Sequence, residues 1–108
     1  MFNKKKNNNF KTVIEGIQRK TRVYGKKTLL GEFRLKKGSI IPNHAHFHEQ
    51  TGYMVSGRMY FFIGPDKFEA EPGDTWCIPG NIEHGVEVLE DSLVIEIFSP
   101  VREEYLPD

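Results

Sequence analysis

Three of the four histidines in this 108-residue chain lie within five positions, at His44, His46 and His48. Side chains two residues apart point to the same face of an extended strand, so His44 and His46 would present two imidazoles side by side. Imidazole is the commonest metal ligand in proteins. The fourth histidine, His84, lies far down the chain near a Pro/Gly turn. We therefore predict that the fold brings His84 back to His44 and His46 around a metal ion.

Short strands separated by turns are the elements that must position these histidines. No segment has convincing helical periodicity, whereas β-type runs alternate with Gly/Pro turns at spacings of roughly eight to twelve residues. This pattern predicts an all-β sandwich or barrel, and closure of a barrel removes exposed edges. Two turns, Ser56-Gly57 and Glu90-Asp91-Ser92, are predicted to close hairpins. The predicted strands are Thr12–Glu15, Thr21–Tyr24, Thr28–Leu35, Thr51–Val55, Arg58–Ile63, Lys67–Glu71, Thr75–Ile78, Gly85–Leu89 and Leu93–Phe98.

Composition predicts one domain and argues against several classes of partner. The 15 basic and 15 acidic residues cancel, so we expect no nucleic-acid-binding face. Residues 1–9 are rich in lysine and asparagine and are expected to form a flexible arm, or alternatively a basic interaction tail, ahead of a domain over residues 10–108. A single cysteine, no secretory signal pattern and no apolar run of membrane-spanning length predict a cytoplasmic protein without membrane contact.

The residues around the histidines resemble the two sequence motifs of the cupin family. The first motif is matched by Gly38, His44, His46, Gln50 and Gly57, and the second by Gly73, Pro79, Gly80 and His84. The resemblance implies a single-domain jelly-roll β-barrel of roughly six to eight strands. It also implies one divalent transition metal in the lumen, bound by His44, His46, Gln50 and His84. Such a ligand set accepts nickel, zinc, manganese, iron or copper.

Two departures from the cupin pattern bear on the chemistry. The family usually has glutamate where this chain has Gln50, and a neutral amide leaves the positive charge of the ion uncompensated. That favours a Lewis acid for an anionic substrate over the two-His, one-carboxylate site of Fe(II) oxygenases. Glu49 has the opposite strand parity and should point away unless a bulge intervenes. In the second motif, Gly80 falls one position early and Asn81 takes the usual glycine position.

The last predicted strand carries one carboxylate, Glu96, within an apolar run. Burying a charge without a partner is costly, so Glu96 needs a reason to be there. If Val94, Glu96 and Phe98 face the lumen, Glu96 points toward the metal cavity and can act as a general acid or base. The alternative is that Glu96 lies on the outer face, paired with a lysine or arginine.

The runs from His46 to Gly57 and from Glu96 to Leu106 also resemble small cupins of pectin degradation. By this resemblance Glu96 takes the place of a catalytic aspartate, while Phe98 and Arg102 match an aromatic residue and an arginine that line the pocket. The implied function is metal-dependent isomerisation of unsaturated uronates, which are anionic sugars, to linear keto-deoxyuronates. Arg102 could bind a substrate carboxylate or be a solvated tail residue. His48 matches no ligand position and is interpreted as a pocket-rim residue that contacts substrate or is structural.

Two other functions stay open at this stage, and the family also suggests an assembly. One is a metal-dependent dioxygenase, against which Gln50 argues; the other is a non-catalytic cupin that binds a sugar or small metabolite. By family analogy, small cupins pack one sheet of each protomer together, which predicts a homodimer.

Overall fold

The computed structural model describes residues 1–107 and contains eight strands and one short 3-10 helix. The strands are β1 (Lys11–Ile14), β2 (Ile17–Tyr24), β3 (Leu29–Leu35), β4 (Ile40–His44), β5 (Glu49–Ile63), β6 (Asp66–Ala70), β7 (Thr75–Ile78) and β8 (His84–Ser99). The 3-10 helix η1 spans Glu103–Tyr105. Within the described residues no helix is long and apolar enough to cross a membrane.

All strand pairs are antiparallel and belong to one eight-stranded sheet. Its strand order is β1-β2-β3-β8-β5-β6, with β4 added to β8 and β7 added to β5. The all-β fold class is therefore confirmed. The sheet differs from the expected barrel in one respect, since β1 and β6 end the strand order and do not pair with each other to close it.

The two predicted hairpins at 56–57 and 90–92 are wrong, because both segments are irregular stretches inside the long strands β5 and β8. The pairing register between these strands shifts around Ser56 and Arg58. Ser92 Oγ accepts the Arg58 backbone N–H at 3.1 Å and donates to the Glu90 carbonyl at 2.7 Å. Gly57 has φ +92°, and a Cβ there would lie 2.2 Å from Ser92 Oγ. The two turn-like sequences therefore face each other and bend the sheet instead of reversing the chain.

The apolar core lies on the inner face of the bent sheet. In β3, Leu29, Gly31, Phe33 and Leu35 are buried while the three residues that alternate with them are not, as the two-residue period of a strand requires. Val94 pairs with Phe33 on the neighbouring strand β8 and points to the same side. Glu96 follows two residues later, so the backbone period directs its carboxyl into the core as well.

Residues 1–9 contain no helix or strand and contact β2. The Asn3 side-chain amide donates to the Arg22 carbonyl at 2.9 Å, and Lys20 donates to the Asn8 carbonyl at 2.6 Å. Whether this segment moves as a flexible arm in solution, with the domain starting at residue 10, stays a prediction.

Candidate metal centre

Three histidines, two from neighbouring positions at the end of β4 and one from the start of β8, lie close together. His44 is the last residue of β4 and pairs with His84, the first residue of β8, while His46 lies in the loop that follows β4. One ring nitrogen from each can be chosen so that all three lie within 4.8 Å of one another. His44 and His46 are thus brought together by the end of a strand and a loop, and not by two positions on one strand face.

The second motif forms a turn that holds the loop carrying His46. The Asn81 backbone N–H donates to the His46 carbonyl at 2.7 Å. A Cβ at Gly80 would lie 2.3 Å from the Phe47 carbonyl oxygen, so only glycine permits this approach. Asn81 takes the left-handed conformation of the turn, with φ +68°, which asparagine tolerates better than most residues. This explains why glycine stands at position 80 and asparagine at position 81.

Each of the three clustered histidines has its Nδ1 against a backbone carbonyl. A carbonyl can only accept, so each Nδ1 carries the hydrogen and each Nε2 keeps a lone pair available for a metal ion. The Nε2 atom of His84 is buried and has no hydrogen-bond partner among residues 1–107. The Nδ1 partners are the carbonyl oxygens of Pro42 for His44 (3.0 Å), His48 for His46 (3.1 Å) and Ile82 for His84 (2.9 Å).

Gln50 supplies a fourth candidate ligand from the start of β5. Its side chain is buried, and Oε1 lies 3.1 Å from His46 Nε2. Because His46 carries its hydrogen on Nδ1, two lone pairs face each other here, an arrangement that a shared cation would stabilise. The side chain of Gln50 also lies near enough to Glu96 to lower the pKa of that carboxyl. Glu49, one residue earlier, is exposed, as its opposite parity predicts.

Burial favours the neutral, metal-binding form of two of these imidazoles, His46 and His84. It lowers the pKa of His84 from 6.5 to about 4, and the neighbouring His44 and His46 act in the same direction. The pKa of His46 is lowered mainly by burial and next by the positive charge of Arg102. Both rings are therefore neutral at pH 7 in the metal-free protein. These two ligands can therefore bind a cation without first having to release a proton.

Glu96 lies on the inner face of β8, with only 5% of its surface exposed. The indole Nε1–H of Trp76 donates to both carboxyl oxygens, at 3.0 Å to Oε1 and 3.2 Å to Oε2. Burial raises the pKa of Glu96 to about 8, although the hydrogen bonds from Gln50 and Trp76 lower it in part. The carboxyl is therefore protonated at neutral pH and can donate a proton to a molecule in the cavity. The outward, salt-bridged alternative does not apply.

Glu96 and three of the candidate ligands, His44, Gln50 and His84, border one cavity of about 320 Å³, near the lower end of the roughly 300–1,000 Å³ range of small-molecule sites. The Arg102 guanidinium lies over the Phe98 ring at 5.1 Å and over the Tyr105 ring at 4.4 Å. Its Nε donates to Glu104 at 2.8 Å. The cavity lining includes His44, Gln50, His84, Glu96, Phe98 and Arg102, with apolar side chains around them.

Two predicted or overlooked residues differ in position from the sequence interpretation. His48 is buried with its ring stacked on Phe47 at 4.0 Å, and it is not among the described residues that line the cavity. Trp76 packs against the core and also donates a hydrogen bond to Glu96, a contact that the sequence did not indicate. The overlooked signal was Gly52, since a glycine inside a strand often marks a close approach by another group.

Comparison with known proteins identifies the same family that the motifs suggest. Residues 31–99 match the cupin domain family. The chain is 32% identical to the pectin degradation protein KdgF of Dickeya dadantii over 94 residues, which is 85% of this chain and 86% of that protein.

Solved structures agree with this comparison. The structure of KdgF from Halomonas sp. superposes with a TM-score of 0.87 at 34% identity, covering 92% of this chain and 94% of that one. An RmlC-like cupin from Shewanella frigidimarina gives a TM-score of 0.88 at 23% identity, covering 93% and 90% of the two chains, and so supports the fold alone.

Proposed function

Since the chain belongs to the cupin family, we propose that its cavity is the active site of a metal-dependent isomerase that converts unsaturated uronates to linear keto-deoxyuronates. The similarity to KdgF, a pectin degradation protein, supports a sugar acid as the substrate. One observation carries the proposal: a buried carboxyl, Glu96, lines the same cavity as His44, His84 and Gln50, and the Gln50 amide oxygen lies 3.1 Å from His46 Nε2.

The residues of the cluster fit a divalent transition metal ion. His44, His46 and His84 offer Nε2 lone pairs, and the buried Nε2 of His84 has no partner in the described chain. Gln50 offers an amide oxygen beside them. A metal ion held by these four residues would supply Lewis acidity toward oxygen atoms of the sugar.

Glu96 moves the proton in the proposed reaction. The 4,5-double bond is an enol ether, because carbon 5 carries the ring oxygen. The Glu96 carboxyl donates a proton to carbon 4, the other carbon of this double bond. The anomeric hydroxyl loses its proton, the bond between carbon 1 and the ring oxygen breaks, and carbons 1 and 5 become carbonyls. The released proton restores the Glu96 carboxyl. The substrate and the linear keto-deoxyuronate are therefore isomers, and no oxidant or co-substrate is consumed.

Arg102 and Phe98 orient the substrate. The guanidinium can form paired hydrogen bonds with the uronate carboxylate, and stacking on Phe98 limits its orientation. The ion pair with Glu104 leaves the terminal guanidinium nitrogens available, because it uses Nε. This arrangement would place the negative end of the sugar near Arg102 and the enol ether toward Glu96.

We also propose that the protein is a homodimer and that it is located in the cytoplasm. Tyr53 and Ile97 are exposed on the outer face of the adjacent strands β5 and β8, where they leave apolar surface for a second protomer. Cys77 is exposed and unpaired, which suits a reducing compartment.

The test is to supply 4,5-unsaturated galacturonate and follow loss of its enol-ether absorbance. The metal-loaded wild-type protein should accelerate this loss, while chelator treatment and Glu96→Gln should each reduce the rate toward the spontaneous one. Loss at the spontaneous rate with the wild-type protein would exclude the proposed activity.

A further inference from the structure

We propose that Trp76 is a positioning residue that fixes the direction of the Glu96 carboxyl, a role that rests on the proposed isomerase function. Trp76 is the only tryptophan in the chain. Its Nε1–H donates to Oε1 at 3.0 Å and to Oε2 at 3.2 Å, so one donor contacts both oxygens of the group that moves the proton.

The two side chains reach each other across an intervening strand. Gly52 of β5 pairs with Trp76 of β7 on one side and with Glu96 of β8 on the other. Neighbouring strands are about 4.8 Å apart, so the Trp76 and Glu96 backbones are separated by roughly twice that distance. The length of the indole and of the glutamate side chain together spans this gap.

Gly52 leaves the space through which this contact passes. A Cβ at position 52 would lie 2.2 Å from Trp76 Nε1 and 2.6 Å from Glu96 Oε2. Any other residue would push the indole and the carboxyl apart or displace both. The hydrogen bond therefore depends on a three-residue row, one residue on each of three adjacent strands.

A fixed carboxyl matters because a glutamate side chain has several rotamers. The Trp76 donor holds both oxygens of the carboxyl. The phenyl ring of Phe61 packs against the indole at 4.8 Å and limits its movement in turn. Misplacing a reacting group by about 1 Å can lower the rate on the order of a hundredfold. Trp76 thereby acts on catalysis without touching the sugar.

The first test is a double-mutant cycle with Trp76→Phe and Glu96→Gln, measured on unsaturated galacturonate. Phenylalanine keeps an aromatic ring and removes the donor. We expect Trp76→Phe to lower kcat about 10- to 100-fold with KM unchanged within about twofold. In the Glu96→Gln background the same substitution should have no further effect, because no acid remains to be positioned. Cys77→Ser, on the outward face of the same strand, is the control and should retain wild-type kcat.

The result that overturns the positioning role is equally specific. If the wild-type protein is active and Trp76→Phe keeps its kcat, or loses the same factor in both backgrounds, then Trp76 only supports the fold. Gly52→Ala provides a second perturbation and should reproduce the kinetic effect of Trp76→Phe. Metal content and thermal unfolding of each variant show whether the protein is folded and loaded.

The second test does not depend on turnover. In zinc-loaded, ¹⁵N-labelled protein the single indole N–H gives one signal, and Glu96→Ala should move it upfield and speed its exchange with solvent. Glu87→Ala, at an exposed position of the same strand, should leave it unchanged. If Glu96→Ala left the chemical shift and the exchange rate of the indole N–H unchanged, the hydrogen bond between Trp76 and Glu96 would be excluded. A wild-type protein that shows the contact but no turnover would exclude the isomerase function, and with it the catalytic role of Trp76.

Discussion

Replacing Glu96 by glutamine should change how the stability of the metal-free protein depends on pH. The folded carboxyl has a pKa of about 8, whereas the ordinary value is 4.5. Between these values the folded state holds a proton that the unfolded state has lost, so the free energy of unfolding falls as pH rises. At 1.36 kcal/mol per pH unit, this difference costs the wild-type protein about 4 to 5 kcal/mol by pH 8.

Glutamine keeps the size of the side chain and has no proton to lose, so Glu96→Gln should lack this decline. The lowered pKa of His84 makes both proteins gain stability as pH rises from about 4 toward 6.5. Because this contribution is the same in both proteins, it cancels from the difference between their free energies of unfolding. The variant should match the wild type within about 1 kcal/mol at pH 5 and exceed it by several kcal/mol at pH 8.

Urea unfolding of chelator-treated protein at pH 5, 6.5 and 8, followed by circular dichroism, measures these free energies. Glu87→Gln is the matched control, because Glu87 is an exposed carboxylate on the same strand and should follow the wild type. If the curves of the wild type and Glu96→Gln stay parallel from pH 5 to 8, the buried carboxyl is ionised and cannot serve as the acid at neutral pH.

Three further variants test the ligands, the substrate contact and the assembly. His84→Ala should weaken metal binding by at least about 100-fold in equilibrium dialysis, since it removes a buried ligand whose Nε2 has no other partner in the described chain. Arg102→Gln should raise KM for unsaturated galacturonate about 10- to 100-fold and change kcat much less, because a charge-assisted hydrogen bond is lost; equal losses in kcat would argue against simple carboxylate binding. Tyr53→Lys together with Ile97→Lys should give a monomer by sedimentation velocity and leave the cavity intact, whereas unchanged sedimentation would exclude the proposed dimer face.

The histidine cluster was predictable because its residues carry their own chemistry. His44 and His46 are close in sequence, and the second motif indicated that His84 returns to them. The reason for the closeness of His44 and His46 was not predictable, since β4 ends at His44 and a loop positions His46. The two-residue period of a strand predicted correctly that His44 and His46 lie close together, but the structure achieves this with a loop and not with one face of a strand.

The strand pattern was predictable in type and less so in continuity. Gly57 and the 90–92 segment have the composition of hairpin turns, but they face each other across β5 and β8 and are joined by the Ser92 hydroxyl. Local turn propensity cannot distinguish a bulge from a reversal, because the distinction depends on which residues lie on the neighbouring strand. The two predicted hairpins failed for this reason.

The contact between Trp76 and Glu96 was not predictable from the sequence, because it too depends on how neighbouring strands pair. Pairing on both sides of Gly52 aligns the two residues, and that register depends on the whole sheet. The apolar run around Glu96 indicated only that a buried carboxyl needs a partner. A buried carboxyl held by an indole became recognisable once the three strands were aligned.

The most direct test of the account is to run the conversion of unsaturated galacturonate in D₂O and determine the deuterium at carbon 4 of the product by NMR. Delivery of the proton by Glu96 from one side of a fixed substrate predicts a single stereochemical configuration at that carbon with the metal-loaded protein. Chelator-treated protein and Glu96→Gln should give the mixture formed spontaneously. The same mixture from the metal-loaded wild-type protein would contradict the claim that this site opens the sugar ring.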